Sequence, residues 1–117
     1  MTETIKRGEE GEQLAAAMLE AKGYRVCERN YRYRRSEIDL IVQRDHWLVF
    51  VEVKTRTSDA FGFPEEFVDG KKKRKILEGA DHYMYITEWK GNVRYDIVAV
   101  NLELGAPQIH HIEDAFY

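Results

Sequence analysis

The sequence contains few of the residues that cross-link or interrupt a chain. It has one cysteine, Cys27, and two prolines among its 117 residues. A single cysteine excludes an internal disulfide and a zinc site built from several cysteines, so we interpret Cys27 as a packed thiol. Because no segment rich in proline, glycine or serine divides the chain, we predict one domain over residues 1–117.

Long hydrophobic runs are also missing. The longest apolar runs are far too short to cross a bilayer. The first residues alternate in charge where a secretory signal would carry an apolar stretch. With 44% hydrophobic and 33% charged residues, the composition is that of a globular protein. We therefore expect a soluble, cytoplasmic protein that does not contact a membrane.

An overall excess of positive charge is absent too. The formal net charge is -3, which disfavours binding to a polyanion. The positive charge that is present is concentrated in two short segments. These contain Arg25, Arg29, Arg32, Arg34 and Arg35 in the first, and Lys71, Lys72, Lys73, Arg74 and Lys75 in the second. Either segment alone is more typical of a solvated face than of a nucleic-acid contact.

Hydrophobic periodicity predicts an α/β domain in the order helix, three strands, helix, strand, with a short strand at the end. The predicted elements are a helix over 6–22, strands over 25–33, 37–43 and 47–55, a second helix after Pro64 and Asp69, and strands over 93–100 and 108–112. Asp69 is a candidate helix cap. The third strand is apolar on both faces, which is typical of a central strand.

The first helix carries an acidic residue, Glu12, beside its apolar stripe. Gly8 and Gly11 lie on or near the same face, where missing side chains would let another segment come close. The second helix has an inward stripe of its own. Its predicted members are Ile76, Leu77, Ala80, Tyr83, Met84 and Thr87.

The most informative feature is the position of charges on the second and third strands. Alternation places Glu37, Asp39 and Ile41 on one face of the second strand, and Glu52 and Lys54 on one face of the third. In a hairpin of suitable register, Asp39 would approach Glu52 and Lys54. Two converging buried carboxylates need a compensating cation. Mg²⁺ is suited to this, since it binds one or two carboxylates and keeps several waters.

Each of these residues also has a purely structural explanation. Alternation of Glu and Lys is common on strands with one solvated face. Asp39 could be a satisfied edge residue, and Glu12 could pair with an arginine. The remaining polar residues are weaker candidates for a functional site. The histidines lack the spacing of a metal site. We expect Asp96 to pair with a buried Arg or Lys. Only the joint arrangement favours a functional site.

That joint arrangement resembles the PD-(D/E)xK nuclease superfamily. The closer resemblance is to the YraN family, uncharacterised protein family 0102, which is similar to the Holliday-junction-resolvase branch. Its motifs are matched by Gly8-x-x-Gly11-Glu12, Asn30-Tyr31, Glu37-Ile38-Asp39-Leu40-Ile41, Phe50-Val51-Glu52-Val53-Lys54-Thr55-Arg56, Val68 with Lys72, and Arg94-Tyr95-Asp96-Ile97-Val98. One departure is Ser36, where the family usually has glycine.

The resemblance implies a restriction-endonuclease-like α-β-β-β-α-β core, with a mixed central sheet flanked by helices. It implies a metal-dependent endonuclease that hydrolyses phosphodiester bonds in DNA rather than RNA, including branched or junction DNA. The implied catalytic residues are Asp39, Glu52, Lys54, Glu12 and Lys72. Ligands of Mg²⁺ or Mn²⁺ would be Asp39, Glu52, Glu12 and the backbone carbonyl of Val53. Contacts to nucleic acid would come from Arg32, Arg34, Arg35, Arg56, Lys71 and Lys72.

Three alternatives remain open at this point. The domain could be a non-enzymatic nucleic-acid-binding module, or a partner-dependent subunit whose metal site is inactive or accessory. It could also be a small interaction domain that binds no metal. A chain this small offers little surface for grasping a junction, which leaves a homodimer or a protein partner open.

Overall fold

The computed structural model describes residues 3–56, 69–102 and 106–116. Within these ranges the chain forms two helices and five strands. The elements are α1 (Glu3–Ala21), β1 (Arg25–Tyr33), β2 (Ser36–Arg44), β3 (Trp47–Arg56), α2 (Gly70–Thr87), β4 (Asn92–Asn101) and β5 (Gln108–Ile112). This order confirms the predicted α-β-β-β-α-β core. The predicted helix start at Pro64 and the motif position Val68 lie outside the described residues.

The five strands form one mixed sheet in the order β1-β2-β3-β4-β5. Strands β3 and β4 are parallel, whereas every other neighbouring pair is antiparallel. A parallel pair requires a crossover connection, and α2 lies on that crossover. The predicted hairpin of β2 and β3 is therefore correct, and β3 is the central strand.

Each face of the sheet is covered by one helix. Helix α1 packs on one face through Ala15, Ala16 and Leu19. Helix α2 packs on the other through Ile76 and Ala80. Thr87, predicted to point inward, is exposed and its hydroxyl donates to the carbonyl of Tyr83 (2.7 Å). In the described part of the chain, neither helix is long and apolar enough to cross a membrane.

Single residues in the sequence explain where α2 begins and where α1 comes close to the sheet. The Asp69 carboxylate accepts the backbone N–H of Lys72 (2.8 Å), which caps α2 as predicted. Gly11 is buried, and a Cβ there would collide with the side chain of Thr55 on β3. At Gly8, no described residue lies within 4 Å of such a Cβ. The prediction of a close approach is thus correct for Gly11, whereas no part of the chain that the structure describes comes close at Gly8.

Strand β2 does not keep the regular alternation that the sequence predicts. Ile38 and Ile41 both pack beneath α2, whereas Leu40 packs beneath α1. Residues two apart on a regular strand share a face, so the strand must be irregular between Ile38 and Leu40. Opposite this point on β1, Asn30 adopts a positive φ of 51°. The irregularity coincides with Asp39.

Candidate functional site

The candidate site forms where β2 separates from β3. Their ladder runs from the Arg44–Trp47 pair to the Leu40–Val51 pair and ends there. One further step in this register sets Asp39 opposite Glu52. The hairpin therefore places Asp39 and Glu52 opposite each other, as the alternation in the sequence predicts.

Asp39 replaces the missing ladder contact with its own side chain. Its Oδ2 accepts the backbone N–H of Val53 at 2.8 Å. Burial raises the pKa of the Asp39 carboxyl to about 8, and the nearby charges of Glu52 and Glu12 act in the same direction. The N–H of Val53 only partly offsets them. A group of this kind requires either a proton or a neighbouring cation near neutral pH.

Glu52 is the most deeply placed acid of the site, with 3% of its surface exposed. Its Oε1 lies 2.8 Å from the ammonium of Lys72 and 3.6 Å from that of Lys54. Its Oε2 is buried and, among the residues that the structure describes, has no hydrogen-bond partner. A buried carboxylate oxygen without a partner is costly, so this atom marks a position where a ligand would be stabilised.

Lys72 reaches Glu52 from the first turn of α2. The cap at Asp69 fixes the start of this helix, which sets the direction of the lysine side chain. Burial alone would lower the pKa of Lys72, but its hydrogen bond to Glu52 and the charges of Glu52 and Asp39 raise it. Lys72 is therefore charged and acts as the main counter-ion of Glu52.

Glu12 stands at the edge of the site on α1. Burial raises its pKa, while a hydrogen bond from the Asn30 side chain lowers it and the charges of Glu37 and Glu52 raise it further. The close approach at Gly11 brings this part of α1 against β3. In the sequence, Asn30 stands out only as a motif residue. Asparagine is rare inside strands. Its presence in an otherwise strand-like segment is the sequence signal for its contact with Glu12.

A polar groove of about 440 Å³ opens beside Glu12. It runs between α1 and the irregular segments of β1 and β2. Its lining consists of Glu9, Glu12, Gln13, Arg29, Asn30 and Leu40. The groove thus adjoins the acidic site on the α1 side of the sheet.

The oxygen atoms of the acidic site can be compared with the ligands that a divalent cation requires. Among the described residues, no three His, Cys, Asp or Glu side chains group closely enough to form a metal site by themselves. Mg²⁺ commonly uses one or two carboxylates and keeps several waters. Asp39 and the free Oε2 of Glu52 fit that pattern, with the backbone of Val53 beside them. Glu12 fits an outer position better than a direct ligand.

The basic residues predicted to contact nucleic acid lie in two regions. Arg34, with φ of 56°, and Arg35 form the turn between β1 and β2, and the guanidinium of Arg34 lies 5.1 Å from the centre of the Tyr33 ring. Arg32 forms a surface ion pair with Glu37 (3.1 Å).

The other predicted contacts lie near the acidic site. Lys71 is exposed beside Lys72 at the start of α2. Arg56, at the end of β3, donates to the carbonyl of Thr55.

A second buried charge cluster lies on β4 and β5, outside the candidate site. Asp96 accepts from Arg94 (2.8 and 2.9 Å), from His111 Nε2 (2.7 Å) and from the N–H of Asp114 (3.0 Å). Burial would raise the pKa of Asp96, but these donors together lower it. The prediction that Asp96 pairs with a buried basic residue is confirmed. The cluster is fully satisfied, which is typical of a structural role.

The chain is similar in sequence to other known proteins. The pattern of the Uncharacterised protein family UPF0102 matches residues 11–100. A UPF0102 protein of Cytophaga hutchinsonii is 46% identical over 86% of this chain and 89% of its own length. UPF0102 proteins of Christiangramia forsetii and Syntrophus aciditrophicus are 38% and 43% identical, over 100% and 99% of this chain and 98% and 92% of theirs.

Among solved structures, the chain is similar to SfsA of Pyrococcus furiosus, determined in complex with Ca²⁺. The two are 16% identical with a TM-score of 0.38, and the match covers 94% of this chain and 63% of SfsA. The fold assignment rests instead on the element order and strand pairing described above.

Proposed function

The chain belongs to the uncharacterised protein family UPF0102, and from the geometry of its acidic site we propose that it is a metal-dependent nuclease. The proposed reaction is hydrolysis of a phosphodiester bond, with DNA as the substrate and Mg²⁺ or Mn²⁺ as the cofactor. Branched or junction DNA is the substrate form that the family resemblance favours.

One observation carries this proposal. A buried glutamate, Glu52, offers one oxygen to two lysines, and its other oxygen has no partner within the described ranges, while Asp39 lies opposite it. A purely structural cluster would satisfy all of its polar atoms, as the Asp96 cluster does. An unpaired anionic oxygen next to two ammonium groups is instead suited to a cation and a phosphate.

The roles of the side chains follow from their positions. A divalent cation bound by Asp39 and Glu52 would supply Lewis-acid stabilisation of charge on the phosphate. Lys54, beside Glu52, would orient the attacking water and donate a hydrogen bond to a phosphate oxygen. Lys72 would contact another phosphate oxygen from the start of α2. Glu12 would hold a water at the outer edge.

The arginines have a different role in this proposal. Arg34 and Arg35 form an exposed turn, and their guanidinium groups would contact phosphates along the nucleic-acid backbone. Contacts of this kind fix the position of the substrate without reading its sequence. Arg56 and Lys71 would extend these contacts next to the acidic site.

The test is cleavage of labelled linear, nicked, single-stranded and four-way-junction DNA in the presence of Mg²⁺ or Mn²⁺. Wild type is compared with Asp39→Asn and with a control, Asp45→Asn, which changes an exposed residue of the β2–β3 turn. We expect cutting by wild type and the control, and a decrease of at least about 100-fold in Asp39→Asn. Equal cutting by Asp39→Asn would exclude this site as the source of activity.

A non-enzymatic nucleic-acid-binding module is the second candidate. It is favoured by the lack of a third close acidic ligand among the described residues and by the net charge of -3. The same experiment separates the two functions. Binding of the junction DNA with no cleavage in either metal would favour the module and contradict the nuclease.

A further inference from the structure

Two stacked rings join the end of β1 to α2. The imidazole of His82 lies nearly parallel to the ring of Tyr33, with 3.7 Å between the ring centres and 13° between the planes. We call Tyr33 and His82 the aromatic stack. The hydroxyl of Tyr31 is hydrogen-bonded to Nδ1 of His82 (2.8 Å). Because this bond fixes the orientation of the imidazole, it also fixes the position of the Tyr33 ring that lies against it.

The backbone beside the aromatic stack is held as well. Ser36, which pairs with Tyr33 in the β1–β2 ladder, donates its hydroxyl to the carbonyl of Lys75 on α2 (2.5 Å). One turn further along the helix, Gly79 allows this close approach, since a Cβ there would lie 3.0 Å from the Cβ of Ser36. A flat surface that is already ordered loses little conformational entropy when a ligand binds to it.

The second face of the Tyr33 ring carries a cation that is not closely packed. His82 fills one face at stacking distance, so the guanidinium of Arg34, 5.1 Å from the ring centre, must lie over the other. Atoms in direct contact are about 3.5–4 Å apart. The side chain of Arg34 is long and exposed. An outward movement of about 2 Å would leave room for one flat ring between the guanidinium and Tyr33, with a contact of about 3.5 Å on each side.

The charges around this slot indicate which kind of ring it takes. Arg34 and Arg35 are exposed in the turn next to Tyr33. A nucleotide supplies both a flat base for the slot and a phosphate for these guanidinium groups. Sites for single-stranded nucleic acid combine aromatic and basic side chains in this way. Bases in a duplex are already stacked on their neighbours, so the slot suits an unpaired base.

The aromatic stack lies within reach of a strand held at the acidic site. Lys72 contacts Glu52 from the first turn of α2. His82 lies ten positions further along the same helix, which is about 15 Å along its axis. Successive nucleotides of a stacked strand are about 3.4 Å apart. A strand with one phosphate at Glu52 would therefore bring a base to Tyr33 a few nucleotides away.

We propose that Tyr33 stacks on an unpaired nucleobase and that the aromatic stack is a binding site for single-stranded nucleic acid. Arg34 covers the other face of the base, and Arg35 contacts a neighbouring phosphate. This inference rests on the nucleic-acid binding in the proposed function, but it does not require hydrolysis. It narrows the substrate to nucleic acid with unpaired bases close to the cleaved bond.

The test is fluorescence anisotropy in a chelator, which prevents metal-dependent cleavage. Two labelled strands of equal length are compared: oligothymidylate, and an abasic strand with the same sugar–phosphate backbone. Wild type should bind oligothymidylate about tenfold more tightly. The reason is that the abasic strand offers its phosphates to the arginines but no ring to Tyr33. Equal binding of the two strands, or binding of neither, would overturn the proposal.

Three variants separate stacking on a base from a structural role of the ring, and circular dichroism checks their folding. Tyr33→Leu should bind the two strands alike, whereas Tyr33→Phe keeps a ring and should keep the preference. The matched control is Trp47→Leu at the opposite end of β2. Trp47 is 40% exposed and also has a guanidinium near its ring, that of Arg94 at 5.6 Å. A folded Tyr33→Leu protein that still prefers oligothymidylate would contradict the proposal.

Failure of this proposal is distinguishable from failure of the proposed nuclease. A wild type that prefers oligothymidylate over the abasic strand but cuts no DNA supports the aromatic stack and contradicts the nuclease. A wild type that cuts DNA but binds the two strands equally contradicts the aromatic stack and supports the nuclease. The comparison of the two strands needs no variant, so it decides the question even if Tyr33→Leu does not fold.

Discussion

At the scale of single residues, the charge balance of the acidic site depends on which cation neutralises the carboxylate of Glu52. Lys72 lies closest to its Oε1, at 2.8 Å, and Lys54 lies at 3.6 Å. An ammonium and a divalent cation compete for the same carboxylate. Lys72 is therefore both a proposed phosphate contact and a competitor of the metal.

This competition gives a first prediction. Lys72→Met should bind Mn²⁺ more tightly than wild type when no nucleic acid is present, because the carboxylate of Glu52 then lacks its nearest counter-ion. Isothermal titration measures the affinity. Lys71→Met, which removes an exposed neighbouring charge, is the control and should bind Mn²⁺ nearly like wild type. Weaker binding in Lys72→Met than in the control would contradict the competition.

Asp39 gives a second prediction, on pH. Its pKa is raised by burial from 3.8 to about 8 in the folded protein, so the folded state holds this proton more tightly than the unfolded state. The resulting stabilisation is complete below the unfolded pKa and is lost as pH rises toward the folded pKa. In metal-free buffer, we expect the stability of wild type relative to Asp39→Asn to fall between about pH 4 and about pH 8.

Thermal unfolding of both proteins in a chelator measures this difference. Added Mg²⁺ or Mn²⁺ should reduce the pH dependence in wild type, because a bound cation stabilises the charged carboxylate. The variant serves as the reference, since an amide does not titrate. A stability difference that is constant across this pH range would show that Asp39 is not the titrating group.

At the scale of elements, the contact between α1 and β3 positions Glu12. Gly11→Ala forces a Cβ against Thr55 and should lower the free energy of unfolding by about 1–3 kcal/mol. Gly8→Ala is the matched control, since no described residue lies within 4 Å of the Cβ that it would add. There the gain in helix propensity should stabilise by about 0.5–1 kcal/mol. Denaturant unfolding measures both, and equal effects of the two substitutions would contradict the close approach.

Much of the element order could be predicted from the sequence, because each element has a local signal. Asp69 marks the start of α2, and the alternating apolar residues of β3 mark a strand covered on both faces. The register of β2 and β3 follows from their short turn, which brings Asp39 to Glu52. These features depend on neighbours close in sequence.

Other features could not be predicted, because they depend on contacts between distant segments. The irregularity of β2 at Asp39 lies opposite Asn30, which has a positive φ on β1, and Asp39 accepts the backbone N–H of Val53 on β3. The ion pair of Lys72 with Glu52 depends on how α2 packs on the sheet. Periodicity alone also gives Gly8 and Gly11 the same expected role, although within the described residues only Gly11 meets another segment.

At the scale of the whole molecule, the net charge of -3 means that nucleic-acid binding must depend on local basic regions. We expect affinity for DNA to fall with salt. The double variant Arg34→Ser/Arg35→Ser should reduce the salt slope by about one for each phosphate that these arginines neutralise in wild type. Arg25→Ser, at the far end of β1, is the control and should keep the slope. Fluorescence anisotropy at several salt concentrations measures it, and an unchanged slope in the double variant would exclude the turn as a binding surface.

The proposed site requires that Asp39 and Glu52 hold a divalent cation, and direct binding of Mn²⁺ tests this without a substrate or a partner. Isothermal titration of wild type, Glu52→Gln and the control Glu20→Gln is the most direct measurement, with circular dichroism to check folding. We expect saturable binding by wild type and the control, and binding by Glu52→Gln weakened by at least about tenfold. Binding of equal strength in Glu52→Gln, or none in wild type at millimolar Mn²⁺, would contradict the claim.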